Sequence, residues 1–203
     1  MPWLLAPLYD RFMARTEAAC LGAWRAELLA SAVGRVVEIG AGTGANLAHY
    51  GDDPAELFLC EPDAGMRRQL VGRAGDDARI RVLDAGAEEL PFPDQSVDSV
   101  VSTLVLCTVP DPVAALAEVR RVLRPGGALL FLEHVAAEPG TPESRHQRWL
   151  EPVWGCVAGG CCLTRETESM IRAAGLQPGS VVRAPMKPAP RFIRPTIRGV
   201  ARR

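Results

Sequence analysis

A glycine-rich segment carries the clearest chemical signal in this 203-residue sequence. It begins directly after an apolar run and reads Glu38-Ile39-Gly40-Ala41-Gly42-Thr43-Gly44-Ala45-Asn46. Glycines after a strand let the backbone turn tightly and let a ligand approach without meeting a Cβ atom. The spacing of Gly40, Gly42 and Ala45 also fits the dinucleotide-binding fingerprint. The segment therefore predicts a ligand where a strand ends and a short helix starts, with the kind of ligand left open.

Two carboxylates beside this segment bear on the choice of ligand. Glu61 ends the next apolar run, where a carboxylate can accept hydrogen bonds from both hydroxyls of a ribose, whichever nucleotide carries it. Glu38 precedes the glycines, and a carboxylate there favours a cationic ligand group and repels a pyrophosphate. The alternative for Glu38 is structural, as a cap on backbone amides.

The elements that must position these residues follow an α/β pattern. From Arg35 onward, short apolar runs alternate with helical patterns, which is typical of βαβ units and a mostly parallel sheet. A helix is predicted from Asp111, as its N-cap, to the stop at residues 125–127, because Pro112 stands at the first helical position. The predicted strands cover residues 35–39, 56–61, 80–84, 97–103, 128–134, 180–183 and 196–201.

Two further regions complete the predicted domain. Residues 16–30 have an amphipathic pattern, so we predict an N-terminal helical cap within residues 1–32. Residues 136–163 are rich in Trp, Pro, Gly and Cys, and we predict an inserted segment that forms a lid or a pocket wall. Thr164 is predicted to cap a last helix that runs to Gly175.

Composition excludes several classes of function for this predicted single domain of residues 1–203. The formal charge of −1 gives no global positive field for nucleic acid. Lys187 is the only lysine, which disfavours Schiff-base chemistry and a Tyr/Lys proton relay. Six cysteines without Cys-x-x-Cys spacing fit reduced thiols in a cytoplasm. No uncharged run approaches the roughly 20 residues of a membrane helix, although the apolar start leaves peripheral membrane contact open. The oligomeric state is not indicated.

Three more stretches extend the glycine-rich motif into a series, namely Gly86–Phe92, Val97–Val101 and Leu123–Gly127. With Glu38–Asn46 they have the order and spacing of class I methyltransferases that depend on S-adenosylmethionine (SAM), of the methyltransferase type 11 kind, which the chain resembles from Tyr9 onward. The resemblance implies a Rossmann-like, doubly wound, three-layer α/β/α fold with a seven-stranded, mostly parallel sheet of order 3-2-1-4-5-7-6. It also implies SAM as the methyl donor and S-adenosylhomocysteine as the product.

Four shorter stretches resemble the alkyl thiol S-methyltransferases of the methyltransferase-like family. They are Gly42–Asn46, Thr103–Cys107, Glu133–Val135 and Gly160–Thr167. The last lies outside the cofactor motifs, so shared cofactor geometry does not account for it. Mammalian members begin with a hydrophobic membrane anchor that has no counterpart here, so the resemblance implies a soluble, bacterial-type relative. We therefore predict methyl transfer to a small apolar acceptor, first of all a thiol.

Other acceptors and other classes stay open at this point. An oxygen or nitrogen atom of a small molecule, a quinone precursor or a lipid headgroup would also accept a methyl group. A NAD-dependent oxidoreductase is disfavoured by Glu38 and by the lack of a Tyr/Lys pair. Six cysteines permit an arsenite methyltransferase or a thiolate metalloid binder, but no third and fourth ligand stands at structural-zinc spacing around Cys161 and Cys162. We therefore predict no metal.

The resemblance also implies which positions bind the cofactor. Glu38 and the loop glycines would surround the methionine part of SAM, and Glu61 would bind the ribose. Residues after the second and third strands would hold the adenine, and residues after the fourth strand would lie under the sulfonium. Many relatives have Asp at the position of Gly86, so a hydrogen bond to adenine must come from the backbone or from Glu88. The full set is Glu38, Gly40, Ala41, Gly42, Gly44, Asn46, Glu61, Pro62, Met66, Gly86, Ala87, Glu88, Thr103, Leu104 and Cys107.

The acceptor is predicted at the end of the fifth strand, because ligands of open α/β sheets bind outside the carboxyl ends of the strands. His134 and Glu133 are the predicted catalytic residues, with His134 as a base for the acceptor thiol. The alternative is that His134 bonds a loop and Glu133 pairs with an arginine. Apolar walls and one positive charge are predicted to line the pocket, from Tyr9, Phe12, Met13, Trp149, Trp154, Cys162 and Arg165.

Overall fold

The computed structural model of this protein describes the backbone of residues 6–203 and the side chains of residues 10–203. The predicted pocket role of Tyr9 therefore concerns a side chain outside the described set. The described strands are β1 (Gly34–Ile39), β2 (Pro54–Cys60), β3 (Ile80–Leu83), β4 (Val97–Thr103), β5 (Leu123–His134), β6 (Gln177–Pro178), β7 (Val182–Pro185) and β8 (Pro195–Arg202).

The strands form one sheet with the order β3-β2-β1-β4-β5-β8-β6, and β7 also pairs with β8. Strands β1 to β5 pair in parallel, whereas β8 runs antiparallel to β5, β6 and β7. The predicted doubly wound order is confirmed, because the last strand lies between β5 and β6. The sheet has one strand more than predicted, since the strand expected at residues 180–183 is replaced by two short strands on either side of Gly179.

The start of β5 also differs from the prediction. The strand begins at Leu123 instead of residue 128, and Leu123 pairs with Val97. The register shifts between Val97 and Ser99, so residues 124–127 form an irregular section that the strand tolerates without breaking. The preceding helix consequently ends at Val122, before the predicted proline and glycine stop.

The helices flank the sheet on both sides. They are α1 (Ala6–Thr16), α2 (Gly22–Leu29), α3 (Ala64–Ala74), α4 (Pro112–Val122), α5 (Pro142–Val157) and α6 (Thr167–Ala173), and a π-helical turn (Glu17–Leu21) joins α1 to α2. Helix α4 starts as predicted, because the Asp111 side chain accepts hydrogen bonds from the amides of Val113 and Ala114. None of the helices in residues 6–203 has the length and apolar character needed to cross a membrane.

The structure adds one helix that the sequence did not predict and corrects two expectations about local structure. The inserted segment is largely helical, since Thr141 caps α5 and Pro142 stands at its first position. Helix α6 starts at Thr167 instead of after Thr164, and Arg165, which precedes it, donates to backbone carbonyls of another loop. No α-helix follows the glycine-rich segment, where a single 3₁₀ turn (Leu47–His49) stands instead.

Alternating side chains of the central strands form two apolar layers. Val37, Leu129 and Phe131 pack against α4 and α6 on one face of the sheet. Val36 and Leu130 pack against α2 and α3 on the other face. This alternation gives the predicted three layers and leaves the carboxyl ends of the parallel strands at a common edge.

Candidate active site

Four parallel strands bring the predicted site residues to one edge of the sheet. Glu38 lies near the carboxyl end of β1, and Glu61 directly follows β2. Thr103 ends β4 and His134 ends β5. All four side chains are at least 90% buried. The edge is therefore a lined crevice of the kind in which open α/β sheets bind ligands.

The glycine-rich loop leaves its backbone accessible at Gly42. This residue has a φ of 59°, and a Cβ atom added there would meet nothing within 4 Å. Gly40 has a φ of 57°, and a Cβ atom there would lie 2.7 Å from the Val105 side chain. Glycine at these two positions thus allows a left-handed turn, a close contact with the loop after β4 and the approach of a ligand.

Glu61 ties the glycine-rich loop to the end of β2. One carboxylate oxygen accepts a hydrogen bond from the amide of Gly42 and the other from the amide of Asp63, each at 2.8 Å. Each oxygen of a carboxylate can accept a second bond. Burial raises the pKa of Glu61, and these two amides oppose the rise. Glu61 is thus a fixed acceptor whose remaining lone pairs fit the two hydroxyls of a ribose.

Glu38 binds side chains instead of the backbone amides of the alternative interpretation. It accepts hydrogen bonds from Tyr50 Oη at 2.7 Å and from Asn46 Nδ2 at 2.9 Å. Burial raises its pKa to about 7, against the effect of these two bonds and of the nearby charge of Arg25. A cationic ligand group would favour the charged form of this carboxylate.

Arg25 joins the N-terminal cap to this site, a role that the sequence did not predict. Its guanidinium donates to Asn46 Oδ1 at 2.7 Å and to Thr103 Oγ1 at 2.9 Å, and it pairs with Glu17. Arg25 lies on the polar side of an amphipathic helix, where an arginine is ordinarily solvated, yet only 4% of it is exposed. Asp10 adds a second tie from α1, because it accepts a 2.7 Å bond from Thr43.

The residues predicted to hold adenine follow the neighbouring strands β2 and β3. Met66 and Ala87 are buried, whereas Pro62 is exposed and Gly86 is half-buried. Arg67 joins the two turns, because it donates to the carbonyl of Glu61 and pairs with Asp84. Glu88 accepts a 3.4 Å bond from the Asp111 amide, so the structure brings this set to the ends of adjacent strands.

Glu133 holds the loop between β4 and α4. Its Oε1 accepts bonds from Ser102 Oγ at 2.6 Å and from the Val105 amide at 3.3 Å, whereas Oε2 is buried without a partner among the described residues. Burial raises its pKa to about 7, and the bond from Ser102 opposes the rise. Leu104, with a φ of 60°, begins the loop in a backbone conformation that is strained for a leucine. No arginine pairs with Glu133 in the described structure, contrary to one alternative.

His134 lies in a cluster with two cysteines that are far from it in sequence. One potential ligand atom from each of Cys107, His134 and Cys161 lies within 4.8 Å of the other two. Hydrogen bonding with Cys107 lowers the pKa of Cys161, and His134 and Trp154 lower it further. His134 Nε2 also lies 3.4 Å from the carbonyl oxygen of Phe192, which is the kind of loop contact that the alternative to the base role described.

The two adjacent cysteines, Cys161 and Cys162, have different neighbours. Cys161 joins Cys107 and His134, whereas the sulfur of Cys162 lies 3.8 Å from Thr164 Oγ1. The amide of Cys162 donates to the carbonyl of Cys107 at 2.7 Å and so ties the two loops together. The prediction of no metal rested on the spacing of residues around Cys161 and Cys162 in the sequence. Cys107 and His134 approach Cys161 in space but are far from it in the sequence.

The residues predicted to line the acceptor pocket occupy different environments. Trp154 packs edge-on against Phe192 with ring centroids 5.0 Å apart, whereas Trp149 is 78% exposed. Phe12 and Met13 line a cleft between α1 and residues 186–193.

The charge of Arg165 is already engaged by the protein. The guanidinium donates to the carbonyls of Leu106 and Val109, at 2.6 and 2.9 Å. Arg165 thus fixes the loop that carries Cys107.

Comparisons with known proteins identify the family of this chain. Residues 37–131 match the family model described as a methyltransferase domain. The human thiol S-methyltransferase TMT1B is 41% identical over 146 residues, which cover 68% of this chain and 59% of that protein. The human thiol S-methyltransferase TMT1A is 37% identical over 173 residues, which cover 82% of this chain and 69% of that protein. The chain thus spans about three fifths of the length of TMT1B.

A solved structure confirms the fold. The SAM-dependent methyltransferase from Thermotoga maritima superimposes with a TM-score of 0.73 over 99% of this chain and 98% of that one, at 23% identity. The open backbone at Gly42 and the spare lone pairs of Glu61 fit SAM. The chain belongs to the SAM-dependent methyltransferases, in the family that contains the thiol S-methyltransferases TMT1A and TMT1B.

Proposed function

We propose that this protein transfers the methyl group of SAM to the sulfur atom of a small apolar thiol. The similarity to TMT1A carries this proposal, because it covers 82% of the chain and so extends well beyond the methyltransferase domain of residues 37–131. The region outside that domain contains α5 and Cys161, which would lie on the acceptor side. Likeness in a part of the chain that does not bind cofactor supports a shared type of acceptor.

The cofactor half of the site would bind SAM through groups that are already in place. SAM supplies a methyl group on a positively charged sulfur, which is a good leaving group. Glu61 would accept the ribose hydroxyls with its two remaining lone pairs. Glu38 would face the cationic amino group, and Gly42 would let the ligand contact the backbone. Met66 and Ala87 would pack against the adenine.

The acceptor half would orient the thiol for an in-line displacement at the methyl carbon. Positioning supplies most of the acceleration in such a reaction. His134 is proposed as the catalytic residue that meets the acceptor thiol, together with the neighbouring Cys107 and Cys161. Glu133 is proposed as a positioning residue, because its bonds hold Ser102 and the loop after β4.

The proposed setting is a reducing compartment such as the cytoplasm, with a small molecule as the partner. All six cysteines are free thiols, which supports this choice. Cys156 is exposed, and an exposed thiol persists best under reducing conditions.

A panel of acceptors with SAM tests the proposal. We expect S-adenosylhomocysteine to form with small apolar thiols and not with phenols, amines or phospholipid headgroups. Binding of SAM without binding of NAD, measured by calorimetry, is the companion result. Turnover of a phenol, an amine or a headgroup, with every thiol inactive, would refute the thiol assignment.

A further inference from the structure

Three side chains able to bind a metal meet where β4 and β5 end. The ligand atoms of Cys107, His134 and Cys161 all lie within 4.8 Å of one another. In a tetrahedral zinc site, two sulfur ligands stand roughly 3.8 Å apart, because each zinc–sulfur bond is about 2.3 Å long. Small rotations of the three side chains would therefore close the set around one ion.

The hydrogen bonding of His134 suits a metal ligand. Its Nε2 faces the carbonyl oxygen of Phe192 at 3.4 Å, and its buried Nδ1 has no nitrogen or oxygen partner among the described residues, although the ring interacts with the sulfur of Cys161. When Nε2–H donates to that carbonyl, the lone pair is on Nδ1. Histidines that bind metals ordinarily hold their other ring nitrogen in this way. Gln147 donates to the same carbonyl at 3.0 Å and so fixes its position.

Hydrogen bonds to the backbone hold the loop that carries Cys107 beside the loop that carries Cys161. The Cys162 amide donates to the Cys107 carbonyl, and Arg165 binds the carbonyls of Leu106 and Val109. Cys107 and His134 are buried, whereas Cys161 is only half-buried. The set is therefore preformed, and it can be reached from the side of Cys161.

We propose that Cys107, His134 and Cys161 bind one divalent cation of the zinc class and that the acceptor thiol occupies the fourth position. The second part rests on the proposed function. Catalytic zinc sites have three protein ligands and one open position. Cysteine sulfur and histidine nitrogen are both ligands that zinc binds well. A thiol that coordinates such an ion loses its proton, so no separate base is needed.

The transfer step balances with SAM as the only co-reactant. The acceptor thiol releases its proton to solvent as its sulfur binds the cation. A lone pair of this sulfur forms a bond to the methyl carbon of SAM. The bond from that carbon to the sulfonium sulfur breaks, and its electron pair stays on S-adenosylhomocysteine. The neutral thioether is a weaker ligand than a thiolate and leaves, while His134 acts as a ligand throughout.

The metal content of the chain purified without chelator tests the site. We expect one ion per chain, and after exchange with Co²⁺ a tetrahedral spectrum with sulfur-to-cobalt charge transfer. Cys107→Ser, Cys161→Ser and His134→Ala should each lower the bound metal at least tenfold. Cys162→Ser is the matched control, because its sulfur lies outside the set, and it should keep the ion. Circular dichroism shows whether each variant is folded.

Addition of a small apolar thiol to the Co²⁺ protein tests the fourth position. We expect the charge-transfer band to grow as a third sulfur binds. Co²⁺ binding that survives each of the three substitutions would overturn the site, and thiol methylation by protein without metal would overturn the role of the ion in the reaction; both outcomes leave the proposed function intact. A bound ion whose spectrum responds to no thiol would overturn the fourth-position assignment. A spectral response to thiols without any methyl transfer would support the site and contradict the proposed function.

Discussion

The cofactor half and the acceptor half of this crevice differ in how completely their polar atoms are paired. Around the glycine-rich loop, Glu38 and Glu61 each have both oxygens bonded. In the acceptor half, Glu133 Oε2, His134 Nδ1 and Trp154 Nε1 are buried without a nitrogen or oxygen partner among residues 10–203, although His134 and Trp154 interact with the sulfur of Cys161. An unpaired buried polar atom is costly, so such atoms point to a ligand that completes the set. The cofactor half is thus preorganised, and the acceptor half is incomplete on its own.

The largest expected effect of a substitution is on the acceptor half. His134→Ala should lower kcat for a small thiol by roughly 100-fold, because the thiolate then lacks the group that generates or holds it. The affinity for SAM should stay within about twofold of the original, since none of the Glu38 or Glu61 contacts involves His134. Steady-state kinetics and calorimetry measure the two effects.

His146→Ala is the matched control for this substitution. His146 is an exposed histidine of α5, so its removal should leave kcat unchanged. A thiol of lower pKa should partly rescue His134→Ala, because it ionises without assistance. Equal loss of SAM affinity and kcat in His134→Ala would show that the two halves are not separable.

An effect of similar or somewhat smaller size is expected from the cofactor half. Glu61→Ala removes two charge-assisted bonds to the ribose and should weaken SAM binding by about 2 to 3 kcal/mol, or roughly 30- to 150-fold in Kd. Glu56→Ala is the control, because Glu56 lies in β2, which Glu61 directly follows, and its carboxylate pairs with Arg35 at the surface. Its Kd for SAM should change less than twofold. A loss of SAM affinity below about tenfold in Glu61→Ala would show that Glu61 does not bind the ribose.

The pH dependence of SAM binding gives a third test. The pKa of Glu38 is raised to about 7 by burial, so below pH 7 this carboxyl is mostly protonated in the cofactor-free protein. A bound ammonium group favours the charged form, and binding then releases the proton. The affinity should therefore fall as the pH falls, by roughly eightfold in Kd between pH 7.5 and 6. Arg25, Tyr50 and Glu61 also face Glu38 and contribute to its pKa or share its titration.

Glu38→Gln removes this titrating group and keeps the shape of the side chain. Its Kd for SAM should be higher than that of the original protein at pH 7.5 and should vary less than twofold down to pH 6. Calorimetry in buffers with different ionisation enthalpies counts the released protons directly. The same pH slope in Glu38→Gln and in the original protein would assign the titration to another group.

The two halves also differ in how well the sequence predicted them. The positions of Glu38 and Glu61 at the ends of two neighbouring strands were predictable, because each carboxylate stands at the end of an apolar run. Glu38 bonds Asn46, 8 residues away, and Glu61 bonds the amide of Gly42, 19 residues away. The fold order followed from the alternation of apolar runs and helical patterns. The set of Cys107, His134 and Cys161 was not predicted, because β5 and α5 separate its members. The burial of Arg25 likewise depends on how α2 packs, which no local pattern records.

The smallest expected effect is the difference between substitutions at the two tryptophans of α5, Trp149 and Trp154. Trp154 packs against Phe192 beside the acceptor half, so Trp154→Ala should destabilise the fold by about 2 kcal/mol through lost apolar contact. Trp149 is 78% exposed on the same helix, so Trp149→Ala should change the free energy of unfolding by less than about 0.5 kcal/mol. The KM for a small thiol should also stay within about twofold in Trp149→Ala, because an exposed ring has few contacts to lose. Urea denaturation and thiol kinetics measure both quantities. A KM raised tenfold or more in Trp149→Ala would show that α5 turns this ring toward the acceptor when the thiol binds, and the acceptor half would then close around its substrate.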